Sequence, residues 1–140
     1  MLPSAVLTAV KSAVESLTPA NPSTPNDKFI LHIGTRQNSK AGRIGYLLAQ
    51  PPVPIQPGRN CSDQLLACTI EMIYAIPVNA VSVADLYSKA LDDSAAVGNC
   101  LIALPGTGDI VSVTVAGGVI TDDMAGELTV ILNFDCRYTA

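Results

Sequence analysis

The chain has no tryptophan and a single histidine, and Asp, Glu, Lys and Arg together supply only 14% of its 140 residues. About a quarter is usual for soluble domains, so the surface is short of charge. With one histidine, His32, neither a histidine-rich metal cluster nor a Ser-His-Asp constellation with a choice of bases can be assembled. The four cysteines, Cys61, Cys68, Cys100 and Cys136, show no CxxC spacing, which excludes a zinc ribbon or finger. The net charge of −4 lacks the clustered basic face that displaces counterions from nucleic acid. No apolar run approaches the roughly 20 residues of a membrane span. Met1 to Leu17 has no basic leading region and carries Lys11 and Glu15 inside its apolar pattern, so it does not read as a signal peptide; the expected compartment is the cytoplasm.

Hydrophobic residues, by contrast, make up 49% of the chain and the mean hydropathy is +0.37. A soluble chain of this composition either packs tightly or covers part of its surface with other subunits, and the second is the expectation here. The length suits one domain spanning residues 1–140, with flexible loops near 18–27, 35–43 and 50–62.

Periodicity predicts two helices and four to five strands. Val6, Leu7, Val10, Ala13, Val14 and Leu17 form one stripe of a helix from about Ser4 to Leu17, which Pro19, Pro22 and Pro25 end. Lys28 to Ile33 reads as a strand covered on both faces. Thr35 to Arg43 follows as a polar hairpin tip holding Arg36, Lys40 and Arg43, and Ile44 to Ala49 is a second strand. Pro51, Pro52, Pro54 and Pro57 predict a stiff projecting connector; Pro51 to Pro54 also fits a P-x-x-P ligand pattern, which is far more often a loop between strands.

The best central strand is Gln64 to Ile76, where Leu66, Cys68, Ile70, Met72 and Tyr74 alternate with the opposite face. Ser82 and Asp85 resemble a capping box opening a second helix that ends near Gly98 and buries Val83, Leu86, Tyr87, Ala90 and Leu91. Asp109 to Ala116 is a strand, Gly117-Gly118 to Gly126 a connection, and Leu128 to Ala140 a terminal strand burying Leu128, Val130, Leu132, Phe134, Cys136 and Tyr138. The expected class is therefore α+β, a mostly antiparallel sheet covered by two helices.

Candidate chemistry is thin. Pro105-Gly-Thr-Gly-Asp109 precedes a strand and lacks the Lys-Ser/Thr pair of a phosphate loop, so it reads as a turn. The side chains of Asp92-Asp93 and Asp122-Asp123 diverge from one another and have no further ligands at metal spacing, so they read as solvated charges. His32 has no identifiable acid or nucleophile beside it. No catalytic residue, cofactor or metal is expected, and the chain does not read as an enzyme.

The order helix, proline-rich connector, two strands, a long strand stopping at Ile76-Pro77, a helix, and a closing strand pair ending Phe134-Asp-Cys-Arg-Tyr138 resembles the tail terminator proteins of long-tailed bacteriophages. The likeness covers nearly the whole chain. It implies a homo-hexameric ring in the virion, assembled in the host cytoplasm, that caps the tail tube, stops its polymerisation and offers the head-attachment surface. It also implies contacts with tail tube protein and head-tail connector or neck proteins, with DNA passing through unbound and no membrane involved. Arg36, Lys40 and Arg43 would then form a docking loop, and Asp92, Asp93, Asp122 and Asp123 would line the lumen or rim. Two other readings stay open on the residues: another neck component, such as a tail-completion or head-tail joining protein, and a small monomeric ligand-binding domain.

Overall fold

A computed structural model describes residues 1–20, 28–34, 43–55, 62–76, 80–122 and 126–140. In chain order the elements are α1 (Pro3–Glu15), β1 (Leu31–Ile33), β2 (Arg43–Ala49), β3 (Val53–Pro54), β4 (Asp63–Ala75), α2 (Ala80–Ile102), β5 (Ile110–Asp122) and β6 (Glu127–Thr139). The strands form one sheet in the order β1-β2-β4-β6-β5, with β3 alongside the start of β4. Every pairing is antiparallel except β1 with β2. The class is α+β, as expected.

Alternation builds the core. Leu66, Cys68, Ile70, Met72 and Tyr74 of β4 and Leu128 to Tyr138 at every second position of β6 are buried, and they join Val6, Val10 and Val14 of α1 in one cluster. The register sets Phe134 opposite Cys68 and Leu132 opposite Ile70, so large side chains meet on the helix-covered face. The end of β6 is tied down by side chains as well: Arg137 Nε donates to Asp63 Oδ2 at 2.7 Å and Tyr138 Oη to Gln64 Oε1 at 2.7 Å. On the other face, Ile44, Tyr46 and Ile73 make a smaller buried cluster.

Several sequence expectations are corrected. The described part of the stretch after β2, residues 50–55, does not project: Val53 and Pro54 pair with Leu65 and Gln64, and Gln50 N donates to Ala67 O at 2.9 Å, while residues 56–60, Pro57 among them, lie outside the described residues. Proline is tolerated there because the pairing is brief and peripheral. Gly117-Gly118 does not break the chain into a connection. β5 runs through it to Asp122, absorbing irregularities between Ile110/Ser112 and Val115/Gly117, where Gly117 takes φ +105°. α2 begins at Ala80, upstream of Ser82, and continues past Gly98 to Ile102, so Ser82 and Asp85 are not its capping box; Asp85 instead pairs with Lys89 at 3.0 Å. β1 is not covered on both faces, since Ile30, His32 and Ile33 are exposed. α1 stops at Glu15, short of Leu17.

Glu15 joins α1 to the sheet. Its carboxylate accepts from Lys11 Nζ at 2.7 Å and from the Leu31 amide at 3.1 Å. Burial pushes its carboxyl upward, but the Lys11 and Leu31 bonds outweigh this and hold it below its ordinary 4.5. A carboxyl lowered by folding stabilises the protein above its unfolded value and loses that contribution as pH falls through the folded one. Urea unfolding followed from neutral pH to below 4.5 is expected to show a shallower loss of stability in Glu15→Gln than in the parent chain; parallel profiles would refute the assignment.

Candidate functional site: interaction surfaces

Chemistry concentrated in a cleft is not what the described residues offer. Among them, no group of three or more His, Cys, Asp or Glu side chains is placed to hold a metal ion. The His32 ring packs against Tyr46 at 5.8 Å between centroids. Pro105 to Asp109 is a turn, closed by Gly106 N donating to Ile110 O at 3.1 Å and Thr107 N to Leu104 O at 2.9 Å, with Gly106 at φ +95° and Gly108 at φ +56°. No helix among the described residues is long and apolar enough to cross a membrane.

The described cysteines, Cys68, Cys100 and Cys136, are free thiols. Cys68 and Cys136 are buried thiols on neighbouring strands, and Cys68 Sγ donates to Leu66 O at 3.6 Å. The Cys136 thiol hydrogen-bonded beside it, together with burial, drives the Cys68 thiol far up, so it is no nucleophile. Burial likewise raises the Cys100 thiol. Cys61 lies outside the described residues.

Two of the hollows formed by the described residues differ in character. One, of about 180 Å³, is bounded by Ile76, Val83, Leu86, Tyr87, Ile120 and Leu128, between the start of α2 and the end of the sheet. Its lining is aliphatic apart from Tyr87 and presents no convergent polar set. The other, of about 330 Å³, is an open groove across β2, β4 and β6, which includes Thr69, Asn133 and Asp135. Thr69 Oγ1 donates to Asn133 Oδ1 at 3.0 Å on that face.

The residues singled out by sequence fall apart into different environments. Arg36 and Lys40 lie outside the described residues, as does Asp123. Arg43 opens β2, with its guanidinium carbon 5.2 Å from the centre of the Phe29 ring and Nη2 donating to Lys28 O at 3.5 Å. Asp122 closes β5. Asp92 is exposed on α2, whereas Asp93, its neighbour, is 1% exposed. Asp93 is therefore neither a solvated charge nor a lumen or rim group. Its Oδ2 accepts from Tyr74 Oη at 2.7 Å and its Oδ1 from the Ala20 amide at 2.6 Å, locking α2 to β4 and to the segment after α1. Burial and the Asp93 carboxyl push the Tyr74 hydroxyl well above its ordinary value.

Asp93 also resets which face of α2 is inside. Among its described side chains the buried positions are Leu86, Ala90, Asp93, Val97 and Leu101, while Tyr87 and Leu91, expected inside, are 47% and 46% exposed. The surplus apolar surface is spread further, with Ile30 at the β1 edge, Val111 and Val119 on β5 and Ile102 at the end of α2 all exposed. Exposed apolar side chains are thus spread over both the helix and the sheet edge among the described residues.

The fold is a two-layer α+β domain with two helices on one face of an open sheet. The same fold occurs in a chain of the virion of a native gene transfer agent particle, at 15% identity, with a TM-score of 0.53 over 79% of this chain and 78% of that one. At that identity the likeness is one of fold. No protein-family model and no curated protein matches the sequence.

Proposed function

We propose that this chain is a structural subunit of a phage-like virion, and specifically a tail terminator: six copies close into a ring on the tail tube, end its growth and present the surface to which the filled head attaches. The observation that carries the reading is the fold shared with a gene transfer agent virion chain over most of both lengths. The phage-terminator order of elements supports it, and so does the exposed apolar surface of a charge-poor subunit. The function is one of contact, not catalysis, and it calls for no cofactor.

In such a ring, Asp92, Asp122 and Asp123 are the remaining lumen or rim candidates. An acidic balance, with −4 per copy, lets DNA pass without adhering. Arg36, Lys40 and Arg43 are the candidate docking loop toward neck proteins, with the charge setting the encounter.

Particles assembled without this chain are expected to carry tubes of uncontrolled length and unattached heads. Normal-length tubes joined to heads would defeat the terminator reading. With Arg36, Lys40 and Arg43 all changed to serine, electron microscopy is expected to find rings still formed on tubes but heads unjoined; undiminished infectivity would remove the docking role from this loop. Regulated tube length with only head joining lost in the chain-free particles would favour a different neck component.

A further inference from the structure

The net charge of −4 conceals a separation of sign. Residues 28–62, the stretch that supplies β1, β2 and β3, hold Lys28, Arg36, Lys40, Arg43 and Arg59 and no Asp or Glu. Residues 90–136, which supply the C-terminal half of α2, all of β5 and most of β6, hold Asp92, Asp109, Asp122, Asp123, Glu127 and Asp135 besides the buried Asp93, and no Lys or Arg. In the sheet, β4 lies between the strands of the two stretches. The chain thus brings cations to one edge of the sheet and acids to the other.

Strand register sets charges of both signs at one height. Arg43 pairs with Tyr74, Tyr74 with Leu128 and Leu128 with Asp122, so a single row across the sheet begins at a cation and ends at an acid. The adjoining row holds Ala75 and Glu127. Lys28 stands beside Arg43, since its carbonyl accepts from Arg43 Nη2 at 3.5 Å, and its own side chain is exposed. Both edges also carry exposed aliphatic side chains, Ile30 and Ile33 on the β1 side and Val111 and Val119 on β5.

We infer that copies of this chain associate head to tail, the β1–β2 edge of one against the β5–β6 edge of the next. Like edges of two copies repel and unlike edges attract, which disfavours a two-fold contact and favours a side-by-side step. That step brings Lys28 of one copy level with Glu127 of its neighbour and sets the aliphatic groups of the two edges against each other. Glu15 already holds the Leu31 amide at 3.1 Å, so the contact at β1 is made through side chains and does not continue the ladder. A repeated head-to-tail step closes into a ring or runs on as a filament. Closure at six rests on the terminator reading; the pairing of the edges does not.

Sedimentation velocity of the purified chain over a concentration series tests it. At low salt the parent is expected to form species that grow past two copies, and to associate about tenfold more weakly at about 0.5 M salt. Lys28→Glu and Glu127→Lys, each alone, are expected to weaken association about tenfold with the circular dichroism unchanged. An equimolar mixture of the two variants is expected to regain the parent's association, because each altered side chain then meets one of opposite sign. A parent that is monomeric throughout the series, or whose association stops at two copies or ignores salt, would overturn the inference. So would single variants as tight as the parent, or a mixture no tighter than its components. None of these results bears on the terminator reading, which the particles assembled without this chain test separately.

Discussion

Replacing Asp93 by alanine is expected to lower the unfolding free energy by about 2–4 kcal/mol, because it takes the acceptor from two donors, a buried one costing roughly 1–3 kcal/mol when unpaired and a part-buried one losing a hydrogen bond worth about 1 kcal/mol. Those donors are the Tyr74 hydroxyl, 2.7 Å from the carboxylate, and the Ala20 amide, 2.6 Å from it. The loss far exceeds that of truncating a solvated aspartate, which falls within about 0.5 kcal/mol. Asp93→Asn separates charge from hydrogen bonding: its carbonyl can accept from Ala20 while its amide donates to the Tyr74 oxygen, so most of the stability is expected to survive. Urea denaturation of the parent, both variants, Tyr74→Phe and the Asp93→Ala/Tyr74→Phe double variant would give the coupling between the two side chains. An alanine variant as stable as the parent would mean that Asp93 is a surface charge after all.

Gly118→Val is expected to be the most damaging change in the sheet outside the main core, at about 3 kcal/mol, the upper end of overpacking costs. A Cβ at Gly118 would run into the backbone carbonyl of Ile131 on β6, and the Leu132 side chain lies 3.1 Å away, so no rotamer change relieves it. β5 would have to lift from β6. Because β5 is the last strand of the sheet, the damage should be local. Hydrogen exchange is expected to speed up for amides shared by β5 and β6 while the β4–β6 ladder stays protected. Gly117 beside it is a different case, since a Cβ there meets nothing and only its φ of +105° resists substitution. A valine variant with the parent's thermal midpoint and unchanged β5 exchange would show that the strand accommodates a side chain at this point.

These two residues mark where reading the chain linearly stops working. Gly118 beside Gly117 suggests a turn, yet a strand passes through, because a glycine pair also suits a bulged strand lying close against its neighbour. Of the candidate interface residues, Arg43 shows only half its nature in sequence: its charge is visible, but its stacking on Phe29 requires β1 and β2 to come together. The apolar spacing of α2 names Leu86 and Ala90 as buried, but local sequence does not show that Tyr87 and Leu91 beside them turn outward.

What the amino-acid order determined alone is the set of faces within each element. Alternation along Leu66 to Tyr74 and Leu128 to Tyr138, and the Val6, Val10, Val14 spacing, name the buried side chains because side-chain direction follows directly from the period of strand and helix. What only the tertiary structure decided is which of two plausible faces turns inward and what neighbours it meets there. α2 presents either a face with Tyr87 and Leu91 or one with Asp93, and hydropathy favours the first. The second is buried because a hydroxyl 19 residues away and an amide 73 residues away converge on the carboxylate. A charged group becomes a core residue only when such partners arrive, and local sequence does not contain their arrival.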